Sequence, residues 1–310
     1  MRLRSLLFPT LLVATLSTGI LVGPATADVS PQPRLYPSPG VAKHAEPPIY
    51  GNGCHSWPPR TAPTACVYGA KKSKKTVMLF GDSHAAHWFG AVRKISDRNR
   101  YRMLSVTKSS CPAADLHVRR YRVSAPHTSC YPWRKKVFKE LKRGSLGRVN
   151  VAVISSWHFH QVLKRGRLLN GAARTAEWNR SIKKTLRILS KTVDQVVLLR
   201  DSPQMAGGMN GYWRCIERNQ SRPRRCGAPT SKALSGQIWR VEKRAAKKYS
   251  SVTAVDLSKP FCGGRFCSPV NKGMLAFKDD NHWNQIYMRK RLTPQLAPYI
   301  DAAMDRSRQR

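Results

Sequence analysis

Five short apolar runs separated by stretches of helical spacing set the fold class of this chain. The runs are Val77 to Phe80, Tyr101 to Val106, Val151 to Ser155, Val193 to Leu199 and Val252 to Leu257. Each is rich in β-branched or large apolar residues and short enough for a strand buried on both faces. Between them apolar residues recur every three or four positions, as in Trp178, Ile182, Leu186 and Leu189 or in Leu234, Ile238, Val241 and Ala245, backed by Lys and Arg. Strand and helix therefore alternate from residue 77 onward, which predicts a parallel sheet with helices on both faces and right-handed crossovers. In such sheets ligands bind outside the carboxyl ends of the strands. The first run ends at Gly81-Asp82-Ser83-His84 and the last is followed by Asp279-Asp280-Asn281-His282, so both polar clusters are expected at one edge. Gln285 to Ile300 reads as a closing helix, kinked or restarted at Pro294. Gly207 to Pro229 reads as a long loop whose Tyr212, Trp213, Arg222, Arg224 and Arg225 suit a glycan or polyanion wall, or else a solvated insertion.

The N-terminus carries Arg2 and Arg4, an apolar run from Leu6 to Val22, and the small-residue site Ala25-Thr26-Ala27. That order predicts a signal peptide over residues 1–27, and hence a secreted, extracytoplasmic protein of the cell envelope or periplasm. Residues 28–50 are proline-rich without apolar periodicity and are expected to be a disordered lead. Residues 51–76 are expected to be a disulfide-bearing extension and 77–310 the main domain. The eight cysteines fall into the sequential pairs Cys54 and Cys66, Cys111 and Cys130, Cys215 and Cys226, and Cys262 and Cys267. An oxidising compartment would bridge them, and proximity favours those pairings. Zinc is the weaker reading, since no pair has C-x-x-C spacing. His84 and His87 lie one helical turn apart, and His158 and His160 alternate along the chain, but neither arrangement calls for a metal. No metal or other cofactor is expected.

Lysine and arginine total 56 against 16 acidic residues, a formal net charge of +40. So strong a field seeks a polyanion. No helix-turn-helix, RNP or zinc-finger signature accompanies the charge, so nucleic acid is not the expected partner; an anionic envelope polymer or membrane surface fits better, with a merely solvated basic surface as the alternative.

A serine hydroxyl becomes a nucleophile when an imidazole takes its proton and a carboxylate orients that imidazole. Gly81-Asp82-Ser83 at a strand end with Asp279-x-x-His282 near the C-terminus resembles the SGNH, or GDSL-like, hydrolase superfamily. Lys108 through Pro112, Cys130-Tyr131-Pro132-Trp133, Val153 through Trp157, and Phe261-Cys262 through Cys267-Ser268 narrow the likeness to the SGNH domain that follows membrane acyltransferase-3 domains. The resemblance spans about Val77 to Ile300. It implies an α/β, three-layer αβα, flavodoxin-like fold with a central parallel five-stranded sheet. It implies Ser83 as nucleophile, His282 as general base and Asp279 as its orienting acid. The oxyanion glycine and the Gly-x-Asn-Asp of the wider superfamily are absent, which leaves the N–H of Ser83 and one from Lys108 to Ser110, Ser110 foremost, as oxyanion donors. A helix cap is the structural reading of Asp82-Ser83. Trp157 is a candidate pocket wall, or an ordinary buried tryptophan. The implied activity is hydrolysis or transfer of O-acyl groups, O-acetyl foremost, on envelope glycans, by a free-standing enzyme or one working beside a separate membrane acyltransferase. A non-catalytic glycan- or polyanion-binding protein on the same scaffold is the alternative.

Overall fold

The computed structural model describes residues 35–308. The expected signal peptide and the first part of the lead lie outside the described residues.

Seven strands form the central sheet: β1 His55–Ser56, β2 Cys66–Gly69, β3 Thr76–Gly81, β4 Arg102–Lys108, β5 Val151–Ser155, β6 Gln195–Leu199 and β7 Val252–Val255. Their order is β1-β4-β3-β5-β6-β7, all parallel, while β2 runs antiparallel to β4 beside Met103 to Ser105. All five expected strands are present. The expected count of five misses β1 and β2, which are too short to carry a periodic signal and draw their hydrogen bonds from β4, a distant part of the chain.

Side chains alternate across the sheet, and each face has its own core. Val77, Leu79, Val151, Val153, Val197 and Leu199 belong to one buried cluster; Met78, Phe80, Ala152, Ile154, Val196 and Leu198 belong to the other. The first cluster is covered by helices at Phe89–Arg98 and Thr293–Ser307, the second by helices at Cys130–Arg143, Gly171–Thr192 and Gly236–Ala246. The expected three αβα layers follow directly. The expected closing helix is Thr293–Ser307, with Pro294 in its first turn, where a missing N–H costs nothing; a shorter helical stretch from Gln285 precedes it.

Two expectations are corrected. Residues 35–50 are not a disordered lead. They carry a short helix, Pro39–His44, and a 3-10 turn, Pro48–Tyr50, with Ala42 and Ile49 fully buried. Prolines open both elements, and Leu275 and Gln285 donate backbone N–H groups to the carbonyls of Tyr36 and Ala45, so the segment borrows the core of the domain instead of building its own. Residues 51–76 carry the Cys54–Cys66 bridge and supply β1 and β2 to the sheet edge. Second, Gly207 to Pro229 is not a loop throughout. A helix at Gly208–Arg218 buries Tyr212 and Trp213, whose indole donates to the Lys278 carbonyl, so neither aromatic can form a glycan wall.

The four disulfides are Cys54–Cys66, Cys111–Cys130, Cys215–Cys226 and Cys262–Cys267, the sequential pairing. Cys111–Cys130 ties the loop after β4 to the helix at 130–143. Arg134, fully buried on that helix, donates to the Pro112 and Leu116 carbonyls and pairs with Asp115, so the loop carrying Ser110 is held from behind. Among the described residues no helix is long and apolar enough to cross a membrane.

Candidate active site

The chain leaves β3 at Gly81, whose φ of 145° lies outside the range of L side chains, and a Cβ there would strike the Ser155 carbonyl oxygen and Ala85. Asp82 then caps a single helical turn, Ser83–Ala86, by accepting from the His84 N–H at 2.8 Å. The cap reading of Asp82 and the nucleophile reading of Ser83 are thus compatible, because they use different side chains of one turn. So short a helix has little dipole, and any oxyanion stabilisation here falls to individual N–H groups rather than to a helix N-terminus.

Asp279 and His282 arrive on the segment after the Cys262–Cys267 hairpin. The Ser83 hydroxyl donates to His282 Nε2 at 2.9 Å, and His282 Nδ1–H donates to Asp279, 2.9 Å from Oδ2 and 3.0 Å from Oδ1. A carboxylate only accepts, so the proton sits on Nδ1 and leaves Nε2 free for the serine. The backbone N–H groups of Asn281 and His282 also donate to Asp279 Oδ1. Burial by itself would raise the Asp279 pKa, but the charge and hydrogen bond of His282, with Lys278 and the Asn281 N–H, hold it well below the usual carboxylate range. Asp280 departs in the opposite direction, raised by burial and by the Asp279 charge, and the His282 ring hydrogen-bonds to Asp279 instead.

Ser83, Ser110 and Trp157 line one cavity of about 220 Å³ together with Ser109, Tyr50, Trp57 and Tyr121. Ser110 takes a left-handed φ of 54°, between the Ser109 N–H, which donates to the Ser56 carbonyl, and the Cys111 N–H, which donates to the Lys108 carbonyl. Among the described residues neither the Ser83 nor the Ser110 N–H has an acceptor. The Trp157 N–H donates to Asp82 Oδ2, and the Ser156 hydroxyl accepts from the Ala113 N–H. Trp157 is therefore part wall and part brace.

Sequence reasoning missed the scaffold behind these groups. Asp82, fully buried, accepts from His160 Nε2 at 2.7 Å as well as from His84 and Trp157. Burial would raise its pKa, but the His160 hydrogen bond and the charges of His160 and His84 prevail and lower it to about 2. His84 pairs with Asp201 at 2.6 Å; burial opposes its protonation, yet Asp201, Asp82 and Asp279 together raise its pKa. The same Asp201 accepts the His158 N–H, and the His158 ring meets Glu242 at 2.9 Å. His158 and His160 thus reach different carboxylates. His87 is the exception: it is fully buried, among the described residues its ring nitrogens have no partner, and burial with the nearby His84 and His282 charges holds it neutral. The only sequence signal for this network is the density of histidines, which does not say which acid each one meets.

A family model described as "SGNH domain (fused to AT3 domains)" matches residues 53–298. No curated protein matches the chain by sequence. Among solved structures, the periplasmic domain of a lipopolysaccharide acetyltransferase from Salmonella ser. Paratyphi A superposes with a TM-score of 0.56 at 14% identity, covering 82% of this chain and 93% of that one. A carbohydrate esterase family 2 enzyme with its carbohydrate-binding domain, from Corynascus thermopiles (Myceliophthora fergusii), gives 0.44 at 15% identity over 75% and 67% of the two chains. A GDSL-like lipase from Bacteroides thetaiotaomicron gives 0.38 at 12% identity over 73% and 89%. At these identities the first likeness speaks for the fold alone.

Proposed function

The chain belongs to the family of SGNH domains described as fused to AT3 domains, and from that premise we propose that it is a serine-dependent O-acyl hydrolase or O-acyltransferase acting on envelope glycans outside the cytoplasm. The observation that carries the reading is the serine–imidazole–carboxylate line, with both contacts near 2.9 Å, on the wall of a small cavity. Ser83 Oγ attacks the acyl carbonyl carbon while its proton passes to His282 Nε2. The oxyanion of the tetrahedral adduct accepts from the Ser83 and Ser110 N–H groups. The sugar oxygen leaves with the proton from His282, and acyl-Ser83 remains. Water, or a second sugar hydroxyl, then gives a proton to His282 and takes the acyl group, and His282 returns the proton to Ser83 Oγ as the acyl–serine bond breaks. Four disulfides and the N-terminal signal-like sequence support an extracytoplasmic location. Mass spectrometry of protein quenched during turnover of an acetate ester is the test. An acetyl group on the peptide containing Ser83, lost in the His282→Ala variant, is expected; acetylation elsewhere or nowhere sinks the mechanism.

The outer helical layer supports an anionic polymer as a further partner. Lys135, Lys139, Lys142, Arg187, Arg240 and Arg244 are exposed there. Affinity for a poly(glycerol phosphate) chain is expected to fall at least about tenfold between ~0.05 M and ~0.5 M salt, because exposed charges are screened. Salt-independent binding would remove this partner.

A further inference from the structure

We propose that Trp57 and Tyr121 form an aromatic platform at the mouth of the cavity that receives the neutral pyranose ring bearing, or adjoining, the acyl group. The inference rests on the reading of Ser83 as an acyl-transfer centre, and it names residues which that reading does not use.

Eight large hydrophobic side chains are exposed among the described residues, and most of them are scattered singly, which needs no explanation. Trp57 and Tyr121 differ in that both line the cavity containing Ser83 and His282, although they come from separate segments. Trp57 is 48% exposed and Tyr121 39%, so each presents ring surface to solvent in the cavity that holds Ser83 and His282. Both are held in place. Trp57 packs edge-on against Tyr50 and His55, with centroids 5.7 and 5.0 Å apart, on the segment following β1 that the Cys54–Cys66 bridge closes. Tyr121 stands edge-on to Trp157 at 5.3 Å, with the Arg122 guanidinium 5.2 Å from its ring. Rigid aromatic rings give contact area at little entropic cost.

The chemistry of the rest of the cavity selects among ligands that stack on aromatic rings. Ser83, Ser109, Ser110, Asn281 and His282 place polar groups among its aromatic walls, and its volume of about 220 Å³ accommodates an acetyl-sized group. A pyranose ring offers a C–H face to the aromatics and hydroxyls to a polar rim. That rim exists: Lys278 and Glu46, paired at 3.3 Å, both line the cavity.

The test compares kcat/KM for mono-O-acetylated neutral disaccharides of gluco, galacto, manno and N-acetylglucosamine configuration with kcat/KM for ethyl acetate, which has no ring. For the best disaccharide, the sugar-to-ethyl ratio should exceed one in the wild type. It should fall about tenfold in Trp57→Ala and in Tyr121→Ala, a change equivalent to ~1.4 kcal/mol, and recover in Trp57→Phe. A ratio unchanged by both alanine variants, or no disaccharide preferred over ethyl acetate, overturns the platform while Ser83-dependent hydrolysis leaves the esterase reading standing. Calorimetric binding of the same disaccharides to Ser83→Ala protein separates the converse case. Binding that weakens when Trp57→Ala is added supports the platform even if no turnover depends on Ser83; binding indifferent to Trp57 and Tyr121 overturns it.

Discussion

Replacing Ser83 by alanine is expected to lower kcat for ester hydrolysis by roughly 10⁴-fold or more, with the thermal midpoint unchanged within about 2 °C. The kinetic loss follows from geometry, since no other hydroxyl in the described residues hydrogen-bonds to His282 Nε2. The stability is spared because Asp82, not Ser83, caps the helical turn, and alanine suits the first turn of a helix. His282→Ala should cost a similar factor, and the double variant little more than either single one, as expected for groups that act as a unit. Initial rates with an acetate ester, corrected for background hydrolysis, measure all three. A Ser83→Ala protein that keeps a tenth of the wild-type rate, or losses that multiply in the double variant, would refute the proposed roles.

Asp82→Ala should act mainly on stability, lowering it at neutral pH by ~3–5 kcal/mol and the melting temperature by about 10 °C. The carboxylate is fully buried and accepts three hydrogen bonds, from the His84 and Trp157 N–H groups and from the His160 ring. Its removal strands all three donors away from water, and losing the partner of a buried charged or polar group costs more than the pair contributes net. The sign of the pH dependence follows from its pKa, which the His160 hydrogen bond and neighbouring charges lower against burial to about 2. A group depressed in the folded state contributes its full stabilisation above the unfolded carboxylate value of ~3.9 and loses it as pH falls toward 2. The gap in melting temperature between wild type and Asp82→Ala should therefore be widest above about pH 5 and narrow in acid. Thermal melts across that range measure it. Equal melting temperatures at neutral pH would show that Asp82 is no brace. Because Asp82 also sets the backbone on both sides of Ser83, activity below the melting transition should fall too.

Much of this was legible in the amino-acid sequence, for a definite reason. The strands around 77–80, 151–154 and 196–199 announce themselves because a strand buried on both faces is apolar along its run, whatever its partners are. Once those strands and their intervening helices alternate, chain topology alone carries Ser83 and His282 to the same sheet edge, although 199 residues separate them. The sequential cysteine pairs follow from the same local logic.

What the sequence could not determine depends on partners far along the chain. β1 is two residues long and exists only because β4 offers it an edge. Residues 35–50 look unable to fold by composition, and by themselves they have no core; they are ordered through carbonyls that accept from Leu275 and Gln285. Tyr212 and Trp213 suit a surface by their arginine-rich surroundings in sequence, but a helix turns them inward. Local composition thus determined which segments become strands and helices, and their order placed Ser83, Asp279 and His282 on one edge. Only the tertiary structure decided which buried acid each histidine meets, which N–H groups stay free beside Ser83, and which aromatic rings face the cavity, because those are contacts between side chains that no periodicity encodes.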